Sequence, residues 1–229
     1  MPKKDQSIKE KIEEVIGTSR KGREKVIRLV QREYPEIGSY RIRRVYEKYG
    51  FSLQLKLKRR IQNNPANSIE IPLQANTEWA MDFMSDALSD GRRIRTLNVI
   101  DHFNRKCTGL KVQFNFPARM VIAELEKMIE KYGKPKGIRT DNGPEFRSKI
   151  FRKWMFKNKI EHIRIQNGKP QQNAIIERFN RSYREDVLDA EIFRSIDQAQ
   201  EITDFWVNDY NSNRPHQSLN FKTPDEYAA

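Results

Sequence analysis

The 229-residue chain has one cysteine, Cys107, three histidines and no long apolar run. A single cysteine excludes an internal disulfide framework and fits a reducing compartment. Without about 18 consecutive apolar residues, no membrane span is expected. The start, MPKKDQSIKEK, has no apolar h-region, so a secretory signal is not expected either. Basic residues crowd that end. Residues 1–64 hold 18 Lys and Arg against 8 Asp and Glu, whereas residues 65–229 hold 26 against 23, so most of the formal net charge of +13 sits in the first quarter. Such asymmetry points to a polyanionic partner, usually DNA or RNA. A solvated basic face is the plainer alternative. Aromatics are plentiful: 12 Phe, 8 Tyr and 3 Trp can fill a core, which argues against wholesale disorder.

Apolar spacing predicts helices over 7–17 (Ile8, Ile12, Val15, Ile16), 23–35 (Val26, Val30, Tyr34) and 39–49 (Ile42, Val45, Tyr46, Tyr49). Ser39 can cap the third, and Gly50 ends it. In FSLQLKLKRRI, Leu53, Leu57 and Ile61 fit a helix capped by Ser52, although Leu53, Leu55 and Leu57 also alternate as in a strand. Helix, short Gly turn and basic helix outline a helix-turn-helix, and equally a basic hairpin packed on the next domain. Residues 62–76, with Pro65 and Pro72 among Asn and Ser, read as a linker.

Beyond Asn76 the period changes. EWAMDFM, RRIRTLNVID and KCTGLKVQF are strand-like and separated by short turns, which predicts an antiparallel meander. A helix over 118–132, a strand at GIRT, a helix over 145–158, a strand at EHIRI, a loop at QNGKPQQN and helices over 172–190 and 196–211 follow. The fold class is therefore α/β, a mixed sheet flanked by helices and preceded by a small all-α domain.

One stretch, GIRTDNGPEF, sets a problem: Asp141 stands where a strand ends in a chain whose charge attracts phosphates. The C-terminal rim of such a sheet is where open α/β folds carry their sites. Asp82 lies inside the first strand, on the face opposite Trp79, Met81 and Phe83. Glu177 borders the buried stripe Ile176, Phe179, Tyr183 of a helix, with Arg181 and Arg184 on the same flank. A buried carboxylate needs a cation or a donor. Three acids from three elements suit Mg²⁺ or Mn²⁺, and two such ions about 3.5–4 Å apart would serve an in-line displacement at phosphorus. Each acid alone also suits a cap, a turn or a surface charge. Asp101 competes with Asp82 and is better read as a strand-end turn residue. His102 is expected in a surface turn and His162 in a structural role. His216 suits packing or phosphate contact equally. Cys107 and Trp79, Trp154 and Trp206 are expected in the core.

WAMDF, TDNGPEF and GKPQQNAIIERFN together resemble the catalytic core of retroviral-integrase-like DDE transposases, and more closely the second-reading-frame (OrfB-type) proteins of bacterial insertion sequences. Thirty-five residues separate Asp141 from Glu177, as in that pattern, and Arg184 stands where a basic residue follows the glutamate. The tail YNSNRPHQSLNFKTPDEYA and GSYRIRRVYEKYG are similar to the family's C-terminal pattern and preceding helix-turn-helix. The resemblance implies an RNase H-like fold. It divides the chain into a basic helical domain (1–62), a linker (63–76), a catalytic core (77–192) and a helical tail (193–229). It implies that Asp82, Asp141 and Glu177 are catalytic and bind two Mg²⁺ or Mn²⁺ ions, for cleavage of transposon ends and 3′-hydroxyl strand transfer. DNA contacts are expected from Asn142, Gly143, Gln172, Asn173, Arg178, Arg181 and Arg184, and from Arg41, Arg43, Arg44, Lys56, Lys58, Arg59 and Arg60. It further implies homo-oligomers on DNA, cooperation or fusion with an upstream reading-frame product, and a bacterial cytoplasmic, nucleoid-associated setting without a membrane. A silent DNA-binding regulator and an RNase H-like nuclease remain alternatives. The retroviral zinc module of two His and two Cys cannot be built from one cysteine and three dispersed histidines.

Overall fold

Three amphipathic helices open the chain: α1 (Lys3–Ile16), α2 (Arg23–Glu33) and α3 (Ser39–Lys48). The computed structural model describes residues 3–17, 22–51, 71–166 and 170–228. It divides into two units, Met1–Asn63 with Arg214–Thr223, and Asn64–Asn213 with Pro224–Ala229. In the first unit the helical stripes meet as their spacing requires. Ile8, Ile12, Val26, Ile27, Val30, Ile42, Val45 and Tyr46 are buried together around Ile37. Gly38, not Ser39, is the N-cap of α3; Ser39 already lies within the first turn and makes no cap bond. Gly50, at φ +73°, closes the helix through a conformation that glycine adopts without strain. The predicted helix with Leu53, Leu57 and Ile61, and with it Lys56, Lys58, Arg59 and Arg60, lies outside the described residues.

The second unit is built on strands β1 (Glu78–Ala87), β2 (Arg93–Asp101), β3 (Cys107–Gln113), β4 (Gly137–Thr140) and β5 (Glu161–Arg164). Their spatial order is β3-β2-β1-β4-β5. The first three form the expected antiparallel meander, and β4 and β5 add in parallel. Helix α4 (Ala118–Tyr132) provides the β3-to-β4 crossover. The predicted 145–158 helix is instead two, α5 (Pro144–Arg147) and α6 (Lys149–Lys157), because Ser148 leaves helical dihedrals and its hydroxyl accepts from Phe151 N. The predicted 172–190 helix is likewise divided. A 3₁₀ turn (Pro170–Asn173) precedes α7 (Ala174–Tyr183), and a π turn (Arg184–Leu188) follows it. Helices α8 (Ile196–Ser212) and α9 (Pro224–Ala228) complete the elements used below.

Alternation along the strands separates two cores. Trp79, Met81, Leu97, Val99 and Ile138 face α4 and α6, packing on Val121, Leu125, Phe151 and Trp154. Ala80, Met84, Ile94, Ile100 and Leu110 face the other way, onto Ile176, Phe179, Tyr183, Trp206 and Tyr210 of α7 and α8. Cys107 and the three tryptophans are core residues, as expected. Burial pushes the Cys107 thiol up to about 12, so it stays a neutral thiol. At Gly109 an added Cβ would lie 2.0 Å from Met128 Cε, so α4 crosses β3 where a side chain is missing.

Strand β3 lies at the edge, and α8 finishes it. Gln200 accepts from Val112 N and donates to Leu110 O; Asn211 accepts from Cys107 N and donates to Cys107 O. Among the described residues no helix is long and apolar enough to cross a membrane.

Candidate metal and nucleic-acid site

Asp82 sits between Ala80 and Met84 on the α7 face of the central strand. Across the sheet, Met81 pairs in parallel with Thr140. One residue further on each strand stand Asp82 and Asp141, and adjacent strands run about 4.7–4.9 Å apart. Glu177 lies in the first turn of α7. The Asp82 carboxyl lies within the field of both other acids. Burial raises the Asp82 carboxyl most, and the charges of Asp141 and Glu177 raise it further; the Phe83 N–H and Asn180 oppose them, and the result is about 6. Asp141 and Glu177 are themselves exposed. Among the described residues no group of three or more His, Cys, Asp or Glu side chains is placed to hold a metal ion. The set is nonetheless composed of hard oxygen donors that repel one another, the chemistry that suits Mg²⁺ or Mn²⁺.

Each acid is oriented by its own neighbours. Asp141 Oδ1 accepts from Gly143 N at 2.9 Å, closing the turn written by Asp-Asn-Gly. The Thr140 hydroxyl donates to Asp141 O at 2.8 Å and lies 2.9 Å from His162 Nε2. Since that hydroxyl proton is spent, the ring must donate from Nε2. Burial, with the charges of Arg164 and Arg152, pushes the His162 pKa down and favours that neutral ring. Asp82 Oδ1 accepts from Phe83 N at 2.8 Å, and Oδ2 accepts from Asn180 Nδ2 at 2.7 Å. Asn180 Oδ1 in turn accepts from Asn98 Nδ2 at 2.7 Å. A hydrogen bond to a charged group contributes roughly 1.5–3 kcal/mol. Asn98 Oδ1, however, is buried without a partner among the described residues, which costs about 1–3 kcal/mol and offsets that gain.

Asn98 and Asn180 escaped the sequence reading, yet both left a signal. Asn98 interrupts the apolar run of TLNVID, and Asn180 follows Glu177 by three residues, on the same helical side.

The other expected contacts are spread around this rim. Asn142 Nδ2 donates to Ile165 O, and Gln172 accepts from Gln166 N. Asn173 is buried at the start of α7, while Arg178 and Arg181 are exposed. Arg184 has turned to the end of β1, donating to Ser85 O at 2.9 Å with Asp86 at 3.7 Å. In the first unit Arg41 is exposed. Arg43 reaches Glu24 at 3.2 Å and Arg44 reaches Asp5 at 2.6 Å. Asp101 serves the turn, accepting from Asn76 N and Phe103 N. His102, expected at the surface, is fully buried with Nδ1 2.7 Å from Glu78 Oε1, because its backbone N–H donates to Glu78 O and folds the turn over the start of β1.

Two integrase core domain models match the chain, at residues 72–170 and 158–224. An uncharacterized 31.7 kDa protein of insertion element IS407 from Burkholderia multivorans is 36% identical over 201 residues, covering 88% of this chain and 73% of its own length. The uncharacterized 39.2 kDa protein of IS476 from Xanthomonas euvesicatoria is 33% identical over 225 residues, 98% of this chain and 65% of that protein. The chain therefore spans about two thirds to three quarters of these relatives. Among solved structures, a chain of the simian T-cell lymphotropic virus intasome in complex with PP2A regulatory subunit B56 gamma superposes with a TM-score of 0.60 at 20% identity, over 73% of this chain and 61% of that one. The HTLV-2 integrase catalytic core domain, in complex with magnesium, gives 0.53 at 20% identity, over 69% and 99%. At that identity the likeness establishes the fold, an RNase H-like mixed sheet.

Proposed function

Because the chain belongs to the integrase-core family of bacterial insertion-sequence transposases, we propose that it cuts the DNA ends of its element and joins the freed 3′-hydroxyl to another phosphodiester. Asp82, Asp141 and Glu177 are the catalytic, ion-holding residues in this reading. The observation that carries it is geometric: Asp82 and Asp141 each follow the paired residues Met81 and Thr140 on neighbouring strands, and α7, which bears Glu177, is tied to Asp82 through Asn180. Acids set beside phosphate repel it, and a divalent cation between them relieves that repulsion. Two Mg²⁺ or Mn²⁺ ions, when bound, would stabilise the attacking and leaving oxygens of an in-line displacement. The protein's own part is to hold the acids on rigid elements and to orient the DNA.

Around the acids, Asn142, Gly143, Gln172, Asn173, Arg178 and Arg181 are assigned to DNA. Arg184, half-exposed and resting on Ser85 O and Asp86 at the end of β1, is assigned to DNA as well. Residues 1–62 act as a helix-turn-helix grip, with Arg41, Arg43, Arg44, Lys56, Lys58, Arg59 and Arg60 facing phosphates; residues 63–76 link it to the core at 77–192, which the tail 193–229 follows. The working form is a homo-oligomer on transposon-end and target DNA, in the bacterial cytoplasm at the nucleoid, joined or fused to an upstream reading-frame product.

The test is nicking and joining of end-bearing DNA in Mg²⁺ or Mn²⁺ by the wild type and by Glu177→Gln. The wild type should do both. The variant should bind DNA equally well yet react about 10²–10³-fold more slowly, the scale felt when a group serving transition-state charge is lost. Binding without nicking in either protein would leave a silent regulator, and hydrolysis without joining a nuclease.

A further inference from the structure

Taking Asp82, Asp141 and Glu177 as the ion-holding acids, we propose that Asn98 is a positioning residue for the reaction: through Asn180 it fixes how Asp82 presents its carboxylate. Asp82 and Asn98 are directly opposite on β1 and β2. The bond between them runs through a third side chain. Asn180 comes down from α7 and bridges the two, donating to Asp82 and accepting from Asn98, each at 2.7 Å.

The direction of that bridge is forced. An ionised carboxylate only accepts, so Asn180 must turn its NH₂ to Asp82 and its oxygen to Asn98. Asn98 must then turn its own NH₂ to Asn180. That choice leaves Asn98 Oδ1 buried without a partner among the described residues. Leucine or isoleucine at 98 would remove that orphan and continue the surrounding cluster of Ala80, Ile94, Ile100 and Leu110, while leaving Asn180 Oδ1 without its donor. One unpaired oxygen is exchanged for another, so folding gains little from asparagine here; what asparagine supplies is the orientation of the amide above it.

The bridge has two effects. With Phe83 N on Oδ1 and Asn180 on Oδ2, each Asp82 oxygen has one donor, the carboxylate plane is set, and one lone pair per oxygen is left for a ligand. Asn180 also lies one helical turn beyond Glu177. The same amide therefore ties the helix bearing Glu177 to the strand bearing Asp82.

The experiment uses the full chain with Asn98→Leu and Asn98→Asp. The readouts are metal-free melting, Mn²⁺ binding by calorimetry, and the Mn²⁺ dependence of nicking. Asn98→Leu should melt within a few degrees of wild type yet bind Mn²⁺ about tenfold or more weakly, the scale for groups that orient metal ligands, with nicking largely recovered at saturating Mn²⁺. Asn98→Asp should be worse, because a carboxylate at 98 draws the Asn180 NH₂ away and turns its oxygen onto Asp82. Wild-type Mn²⁺ binding in either folded variant overturns the proposal. So does loss of cooperative melting in both, which would make Asn98 a stability residue. Should the wild type bind no Mn²⁺, or Asp82→Asn bind it equally well, the assignment of the acids falls first and this inference with it.

Discussion

Two carboxylates four residues apart on β1 have moved in opposite directions. Asp82 is raised to about 6 by burial and like charge. Burial also acts to raise Glu78, but hydrogen bonds and charge from His102 and Arg139 overcome it and hold that carboxyl at about 2. Arg139 Nε and Nη2 meet Glu78 Oε1 and Oε2 at 2.7 and 3.0 Å, a two-pronged pairing. A carboxyl held below its ordinary value of 4.5 contributes stability that is complete above that value and is lost as pH falls through about 2. Glu78→Gln should thus lower the melting temperature at neutral pH, and its deficit should shrink progressively as pH falls below 4.5. A constant deficit across that range, measured by thermal melts at stepped pH, would contradict the pairing. One acid of this strand anchors the sheet; the other is held ionisable at a structural cost, as stability–function trade-offs lead one to expect.

At the level of elements, the legible parts were those governed by repeating patterns. The 118–132 stripe became α4 with the same bounds, and WAMDF placed Asp82 opposite Trp79 and Met81, because period 2 leaves no other choice. The missed parts are local exceptions that periodicity cannot register. Ser148 breaks a continuous apolar stripe because its hydroxyl takes the Phe151 N–H. Ser148→Ala should cost about 1 kcal/mol. For a domain of this size that is a drop of roughly 2–4 °C in a melting scan, with nicking at low temperature unchanged. The π turn after Tyr183 likewise has no signature in spacing; a widened turn of that kind often marks functional helices. The acids were readable as types and separations, whereas the amides that aim them depend on which strands became neighbours.

On the scale of the whole chain, charge and chemistry occupy different stretches. The basic excess lies in residues 1–64, and the acids lie in the near-balanced remainder. Phosphate contacts release counterions. Affinity for end-bearing DNA, followed by fluorescence anisotropy, should therefore fall about 10³-fold or more from about 50 to about 200 mM salt. A flat response would remove the basic region from the role of DNA grip. The fitting of Gln200 and Asn211 against β3 bears on how copies could gather there. These amides occupy outward backbone positions on both ends of that strand, so the sheet comes already hemmed by its own helix. A second chain approaching along this border would meet those four groups already engaged, so pairing onto β3 is disfavoured and the helix, not the strand, is what this side of the sheet offers.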